Sequence, residues 1–374
     1  MQRGSRKNRL LDYWLGTPFL NVLATFHRRR SIPARIQKIG VMCSPALGDT
    51  LLFSAVLQDL RAAYSDARIT HVCMKQNLAA TEIIPGADTR LVINLTQPGE
   101  AIGLVRAEHF DIVLDFSSWQ RLTAFVTLMS GARYTVGFRT PGMNRSRGYD
   151  RVVEHSRSCH EMDNFRSLLA GSGVVPATAI THEPALRVPG GPVPFVAEHD
   201  IVVLHPWASG QKSWLREWPD ERWVELATRL RRADTLFVIT GAPSDEPRMM
   251  VFLQTLRSSG LRAEAYVSPD GMLSLTRLVQ HARLVVSVNT GVMHLAAIAG
   301  APTVSLNGPT AEHRWGARGR CVANVQPADG SGGFLHLGFE FKGQPEDTML
   351  RISVDQVMRA CESLTMAQVP MEAF

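Results

Sequence analysis

Four short loops in the second half of this chain carry residues equipped for chemistry, and each follows an apolar run. "SVNTGVMHLAA", Ser287 to Ala297, places Asn289, Thr290 and Gly291 between the run Leu284 to Val288 and a helix start. A strand's carboxyl end followed by a helix N-terminus presents backbone N–H groups to an anion. Taken alone, the stretch is explained as well by Thr290 capping the helix and Gly291 turning the chain. "VVLHPWASGQKSWLREWP" runs from a strand into Trp207, Ser209 and Gly210, then Lys212 and Arg216. Basic side chains after a small-residue loop neutralise phosphates, and Trp207 is either a platform for a base or a packing plug. "ITGAPSDEPR" ends in Asp245 and Glu246, suited to ribose hydroxyls or to a turn and cap. "LNGPTAEHRWGARG" offers Thr310 and Arg314. Parallel strands bring such ends to one edge, so four in succession favour a phosphate-bearing ligand over four unrelated caps.

The first half holds one comparable place. In "CSPALGDTLLFSAVLQDLRAAY" a strand ends at Cys43, a short loop carries Gly48 and Asp49, and a helix follows with Leu52, Val56, Leu60 and Ala63 on one side. Asp49 is either the helix cap or a carboxylate that takes a proton from an acceptor hydroxyl as general base. The loop lacks the Gly-x-Gly-x-x-Gly fingerprint, which disfavours a nicotinamide dehydrogenase.

The elements that position these loops alternate. "KIGVMC", "ITHVC", "RLVINL" and "DIVLDF", then "DIVVLH", "TLFVIT", "LVVSV" and "TVSL", are short apolar runs suited to strands buried on both faces, with helical patterns between them. The rhythm predicts an α/β chain of two Rossmann-like, doubly wound parallel-sheet domains facing a cleft. "EPALRVPGGPVP" breaks the period and marks a linker. The expected division is a basic amphipathic segment (1–37), an N-terminal Rossmann-like domain (38–185), the linker (186–199), a C-terminal Rossmann-like domain (200–350), and a C-terminal helix and tail (351–374). Five scattered cysteines show neither a Cys-x-x-Cys pair nor a metal-ligand spacing, so no metal site is expected and a reducing compartment fits. No apolar run reaches the roughly 20 residues that span a bilayer.

Charge is concentrated at the start. Up to Lys38 there are nine basic residues against one acid, Asp12, while the remainder holds 31 basic and 33 acidic residues. Within that stretch, "GTPFLNVLATFHRRR" reads as a helix capped by Thr17 with Pro18 in its first position and Phe19, Leu20, Val22, Leu23 and Phe26 on one face. Such a basic amphipathic helix lies on an anionic membrane, docks on its own protein, or binds nucleic acid nonspecifically. No specific nucleic-acid partner is expected, because the remainder is slightly acidic and carries no recognised nucleic-acid-binding motif.

"SPALGDTLLFSAVLQDLRAAYSDARIT", "HPWASGQKSWLREWPDERWVELA", "ITGAPSDE" and "VVSVNTGVMHLAAIAGAPTVSLNGPTAEHRWG" together resemble the ADP-heptose:lipopolysaccharide heptosyltransferase-like glycosyltransferases (glycosyltransferase family 9), over about residues 38 to 320. The resemblance implies a GT-B fold, with the acceptor on the N-terminal domain (38–185) and the nucleotide sugar on the C-terminal domain (200–350), and metal-independent inversion at the anomeric carbon. It implies no cofactor, the nucleotide sugar being a substrate. The donor it implies is ADP-heptose, and the acceptor a lipopolysaccharide core or related glycolipid. The chain contains no Asp-x-Asp, in keeping with this. Residue by residue, Asp49 matches the family's catalytic carboxylate. Lys212 matches its donor-binding base, with Arg216 a rival because of an insertion before Trp218-Pro219. Asp245 matches the nucleoside-contacting acid, Thr290, Gly291 and His294 match the diphosphate-binding helix start, and Ser209 belongs to the donor loop. Asn289 departs from the family's usual aspartate; an amide can orient donor oxygens but cannot be a base. A glycolipid acceptor implies a cytoplasmic protein, peripheral on the inner membrane of a Gram-negative-type bacterium, with residues 1–30 at an anionic surface. A transferase using another nucleotide sugar and a noncatalytic sugar-nucleotide-binding or membrane-recruitment protein are the alternatives.

Overall fold

The computed structural model describes residues 6–195 and 200–366. The chain divides into two compact units, Met1–Arg187 and Val188–Phe374. In the first, β1 (Lys38–Met42), β2 (Arg68–Cys73), β3 (Thr89–Val92), β4 (Ile112–Asp115), β5 (Tyr134–Arg139) and β6 (Arg151–Glu154) alternate with α1 (Arg6–Phe26), α2 (Leu47–Ala63), α3 (Leu78–Glu82), α4 (Pro98–Ala107), α5 (Arg121–Met129) and α6 (Glu161–Gly171). The strands form a wholly parallel sheet in the order β3-β2-β1-β4-β5-β6. The second unit repeats the plan with β7 (Asp200–His205), β8 (Thr235–Thr240), β9 (Ala263–Tyr266), β10 (Leu284–Val288), β11 (Thr303–Leu306) and β12 (Val322–Val325). Its helices are α7 (Asp220–Leu230), α8 (Glu246–Ser258), α9 (Leu273–Gln280), α10 (Gly291–Ile298), α11 (Glu312–Trp315) and α12 (Val354–Met366). Its order, β12-β11-β10-β7-β8-β9, sets β10 beside β7 as β4 lies beside β1. The tail expected over 367–374 lies outside the described residues.

Helices cover both faces of each sheet, so its central strands are continuous apolar runs. Every residue of β8, β10 and β11 is buried. On α7, Trp223, Leu226, Ala227 and Leu230 all turn into the core, as their spacing requires. Three strands that hydropathy missed, β6, β9 and β12, are four-residue sheet edges of half-covered, mixed composition. A fourth, β5, is buried but interrupted by Gly137, where a Cβ would meet the Tyr149 ring at 2.3 Å. Helix α2 begins at Leu47, so Gly48 and Asp49 belong to its first turn rather than to a preceding loop. It packs against both α3 and α6 and is buried nearly all round, with only its last turn, including Ala63, emerging.

The N-terminal helix differs most from its sequence reading. α1 starts at Arg6 and runs through Pro18, so Thr17 is not its cap nor Pro18 its first position. An interior proline costs a helix about 3 kcal/mol. The turns upstream of Pro18 offset this by docking on α5. Asp12 Oδ1 accepts the backbone N–H groups of Arg121 (2.7 Å) and Leu122 (2.9 Å), capping α5, whose own N-cap residue Gln120 makes no side-chain cap. Burial raises the Asp12 carboxyl above its usual range against the pull of those bonds. Gly16 allows the close approach, since a Cβ there would lie 2.5 Å from that of Arg121. Leu20 is fully buried with Ala124 and Tyr149. Residues 1–37, read above as a segment of their own, thus bring α1 into the first unit. Val22 is 59% exposed, and therefore does not share a face with Leu20 as expected. No helix of the described residues is long and apolar enough to cross a membrane.

Just past α1, Asp150 accepts from Arg30 Nη2 (2.8 Å), His27 (3.1 Å) and the backbone and hydroxyl of Thr135 (2.8 and 2.9 Å). Burial works to raise its carboxyl, but the bonds from Arg30 and Thr135 outweigh it and hold it below the usual range. A depressed carboxylate stabilises the fold above the unfolded-state pKa and loses that contribution as pH falls through the folded value. Asp150→Asn therefore lowers the melting temperature at neutral pH, and its gap to the parent closes below about pH 4. Thermal melts across the acid range check this; a gap that persists unchanged into acid refutes it.

Candidate active site

In the first unit the carboxyl ends of β1, β4 and β6 gather acidic groups. Asp49, in the first turn of α2 just past β1, is buried at 2% exposure. The N-cap of α2 is Ala46, so Asp49 is not the capping residue but an acid in the first turn. The Cys43 thiol at the end of β1 is pushed well up, first by burial and then by the charges of Asp49, Glu161 and Asp115. Three carboxylates thus act on one point, and Cys43 stays a neutral thiol. Asp115, last residue of β4, accepts from Arg145 Nη2 (2.5 Å) and Tyr149 Oη (2.7 Å), with all three side chains buried. Arg145 Nε also donates to Gln120 O (3.0 Å), and Gln120 Nε2 to Ser44 Oγ (3.3 Å), which joins the loops after β1 and β4. Breaking such a buried pair by removing one partner costs roughly 3–5 kcal/mol. Glu161 meets His155 Nε2 at 3.0 Å and Asn164 Nδ2 at 3.1 Å.

In the second unit the loop after β7 is held from within. His205 bonds Thr240 Oγ1 at 2.9 Å, and burial lowers its pKa to about 4, so the ring is neutral at physiological pH. Trp207 is buried, edge-on to Phe252, with the Arg248 guanidinium 4.8 Å from its ring centroid: it is the packing plug, not a platform. Arg248 also pairs with Glu217 (3.0 Å) and Asp245 (2.7 Å), and Asp245 Oδ2 accepts the Ala242 N–H at 2.9 Å. Arg216 Nη2 donates to the carbonyl of exposed Ser209. Lys212 has left-handed backbone (φ 50°), and its Nζ meets Glu346 at 3.3 Å and the Phe341 ring at 5.6 Å. Arg216 thus has a bond within the loop after β7, and Lys212 an ion pair with a residue distant in sequence.

At the end of β10, Thr290 occupies the N-cap position of α10 but makes no side-chain cap bond. The first turn of α10, from Gly291, carries the positive end of the helix dipole. His294, one turn on, is buried at 4% exposure. Asn289 donates both amide hydrogens within the protein, to Asn307 Oδ1 (2.8 Å) and Trp315 O (2.7 Å). Asn307 Nδ2 in turn reaches Asn324 Oδ1 at 3.3 Å, so an amide ladder crosses the ends of β10, β11 and β12. An aspartate at 289 would have no hydrogen for either acceptor, which explains the amide here. Arg314 is fully buried, 5.2 Å from the Trp315 ring, and Thr310 Oγ1 belongs to a loop bridged to Leu335.

Ser209, Lys212, Arg216, Asp245, Asn289, Thr290, Gly291 and His294 therefore all lie at or just past carboxyl ends of β7, β8 and β10, and Asp49 lies past β1. The sequence reading missed Asp115, Arg145, Glu161 and His155. A charge closing the apolar run "DIVLDF" was a usable signal for Asp115; Arg145, in the polar stretch "PGMNRSRGYD", offers none.

Residues 102–329 match the family model for glycosyltransferase family 9 (heptosyltransferase). Lipopolysaccharide heptosyltransferase 1 of Escherichia coli (strain K12) is 28% identical over 214 residues, 55% of this chain and 63% of that protein. The chain thus spans less than two thirds of the length of the curated relatives it matches. Among solved structures, the ADP-heptose lps heptosyltransferase II of E. coli superposes with a TM-score of 0.71 at 18% identity, over 89% of this chain and 99% of that one. The glycosyl transferase family 9 protein of Veillonella parvula DSM 2008 gives 0.74 at 18% identity, over 90% and 100%. These likenesses establish a GT-B-type fold of two doubly wound parallel sheets. With its family match extending over more than half its length, the chain belongs to glycosyltransferase family 9 (heptosyltransferase).

Proposed function

We propose that the protein moves heptose from ADP-heptose onto a lipopolysaccharide core or related glycolipid in one inverting displacement that needs no metal ion. The acceptor oxygen bonds to the anomeric carbon while its proton passes to Asp49. The anomeric C–O bond opposite breaks, and its electron pair leaves with ADP. The first turn of α10, at Thr290 and Gly291, stabilises the departing diphosphate. Lys212 assists, exchanging Glu346 for a phosphate; an exposed ion pair of this kind is cheaply broken. Asp245 receives the nucleoside, and Ser209, Asn289 and His294 line the donor's path.

The observation that carries this reading is Asp49, a buried carboxylate in the first turn of a helix at the end of the central strand β1. Names of the relatives support the substrates: one is a lipopolysaccharide heptosyltransferase, another an ADP-heptose enzyme. A lipid-borne acceptor places the enzyme at the cytoplasmic face of an inner membrane, with the basic N-terminal segment toward the anionic surface.

Asp49→Asn keeps shape but not basicity, and lowers kcat about a hundredfold to ten-thousandfold with donor affinity unchanged; a parent-like kcat removes Asp49 as the base. Lys212→Ala raises the donor KM more than Arg216→Ala does, and the reverse order transfers the diphosphate role to Arg216. Asn289→Asp sets a second negative charge beside the diphosphate and breaks the amide ladder, so donor KM rises about tenfold. Steady-state kinetics with ADP-heptose, alongside UDP- and GDP-sugars as competing donors, measures all three; turnover faster with another nucleotide sugar replaces the donor assignment.

A further inference from the structure

α1 presents apolar side chains on two opposite faces. Asp12, Gly16 and Leu20 face α5, and the opposite stripe, at four-residue spacing, is Leu10, Trp14, Pro18 and Val22. Leu10, Trp14 and Val22 are 47%, 69% and 59% exposed, a ridge about 18 Å long at the helical rise. Where the helix ends, a cavity of about 250 Å³ opens, and four of its lining side chains, His27, Arg29, Arg139 and Arg147, are basic. Of these, His27 pairs with Asp150, which also holds Arg30, and Arg139 pairs with Glu154 at 2.8 Å. Ser146 adds a hydroxyl to the lining.

Few partners match both halves of this surface. Nucleic acid would meet the cations but give the ridge nothing apolar. A second copy of the chain would bring one strongly basic segment against another. The interface of an anionic bilayer supplies both halves: acyl chains for Leu10, Trp14 and Val22, and phosphates a few ångströms away for arginines whose planar fork fits them. An exposed tryptophan in mid-ridge suits that boundary, being apolar with one N–H to donate.

We propose that the outward ridge of α1 and the basic cavity at its end form one docking surface for an anionic phospholipid membrane, with the ridge in the interface and Arg29 and Arg147 on lipid phosphates. This adds a defined surface to the transfer reading and is testable without donor or acceptor. The full-length chain is floated with vesicles of phosphatidylcholine alone and of phosphatidylcholine with phosphatidylglycerol, at physiological salt. The parent binds the anionic vesicles, and Trp14→Ala and Arg147→Glu each weaken binding about tenfold or more. Both variants keep the parent's melting temperature and its turnover of a water-soluble, delipidated acceptor. Trp14→Phe still binds but loses the quenching that brominated acyl chains impose on the parent's fluorescence.

Equal retention of the parent on neutral and anionic vesicles, or undiminished binding by Arg147→Glu, overturns the proposal. So does binding of inorganic phosphate at the cavity without vesicle binding, or a parent dimer that Trp14→Ala dissociates while vesicles are ignored. A protein that turns over soluble acceptor yet does not float refutes the docking surface alone. One that floats yet transfers nothing refutes the transfer reading alone.

Discussion

In a sheet whose strands all run the same way, every strand delivers its carboxyl end to one edge, and both sheets of this protein obey that constraint. Helices return the chain across the faces, so the interior of each strand must be apolar, and chemistry is confined to the few residues where strand passes into helix. Asp49 after β1, Lys212 after β7, Asp245 after β8 and Thr290 after β10 all occupy such passages. The order of strands, with β4 beside β1 and β10 beside β7, sets where the loops at each edge diverge. The edge makes a site available; it does not choose its ligand.

Much of the polar chemistry at those edges holds the loops in shape. Asp115 and Arg145 are a buried pair that ties the crossover after β5 to the end of β4, and Tyr149 completes it. Arg248 links Glu217, Asp245 and the face of Trp207, so three stretches distant in sequence share one guanidinium. The ladder from Asn289 through Asn307 to Asn324 does the same for three adjacent strands. Groups fixed in this way cost little reorganisation when charge develops nearby, which is how preorganised dipoles assist transfer reactions.

The N-terminal helix shows a different economy. A single carboxylate, Asp12, both docks α1 and caps α5, and Gly16 brings the two helices close enough for it to reach. Docking through Asp12, Gly16 and Leu20 leaves Leu10, Trp14 and Val22 exposed, and the interior proline is carried along by contacts on either side of it.

From its sequence alone the protein was legible as two doubly wound domains, because fully buried parallel strands must be unbroken apolar runs, and β7, β8, β10 and β11 fall on the residues where those runs lie. The candidate donor loops were legible for the same reason, since small and charged residues directly after such runs stand out, and shared motif order named the family. The edge strands β6, β9 and β12 were not, because half-covered four-residue segments carry no hydropathy contrast. Tertiary structure alone decided the partners of such residues: Asn289 and Trp207 have the types expected of ligand contacts, and only the fold brings Trp315 and Asn307 to the amide and Arg248 to the ring. It also decided the register of α1, because the helix propensity that would start it at Pro18 is a local preference, whereas the docking of Asp12 on α5 joins residues more than a hundred positions apart.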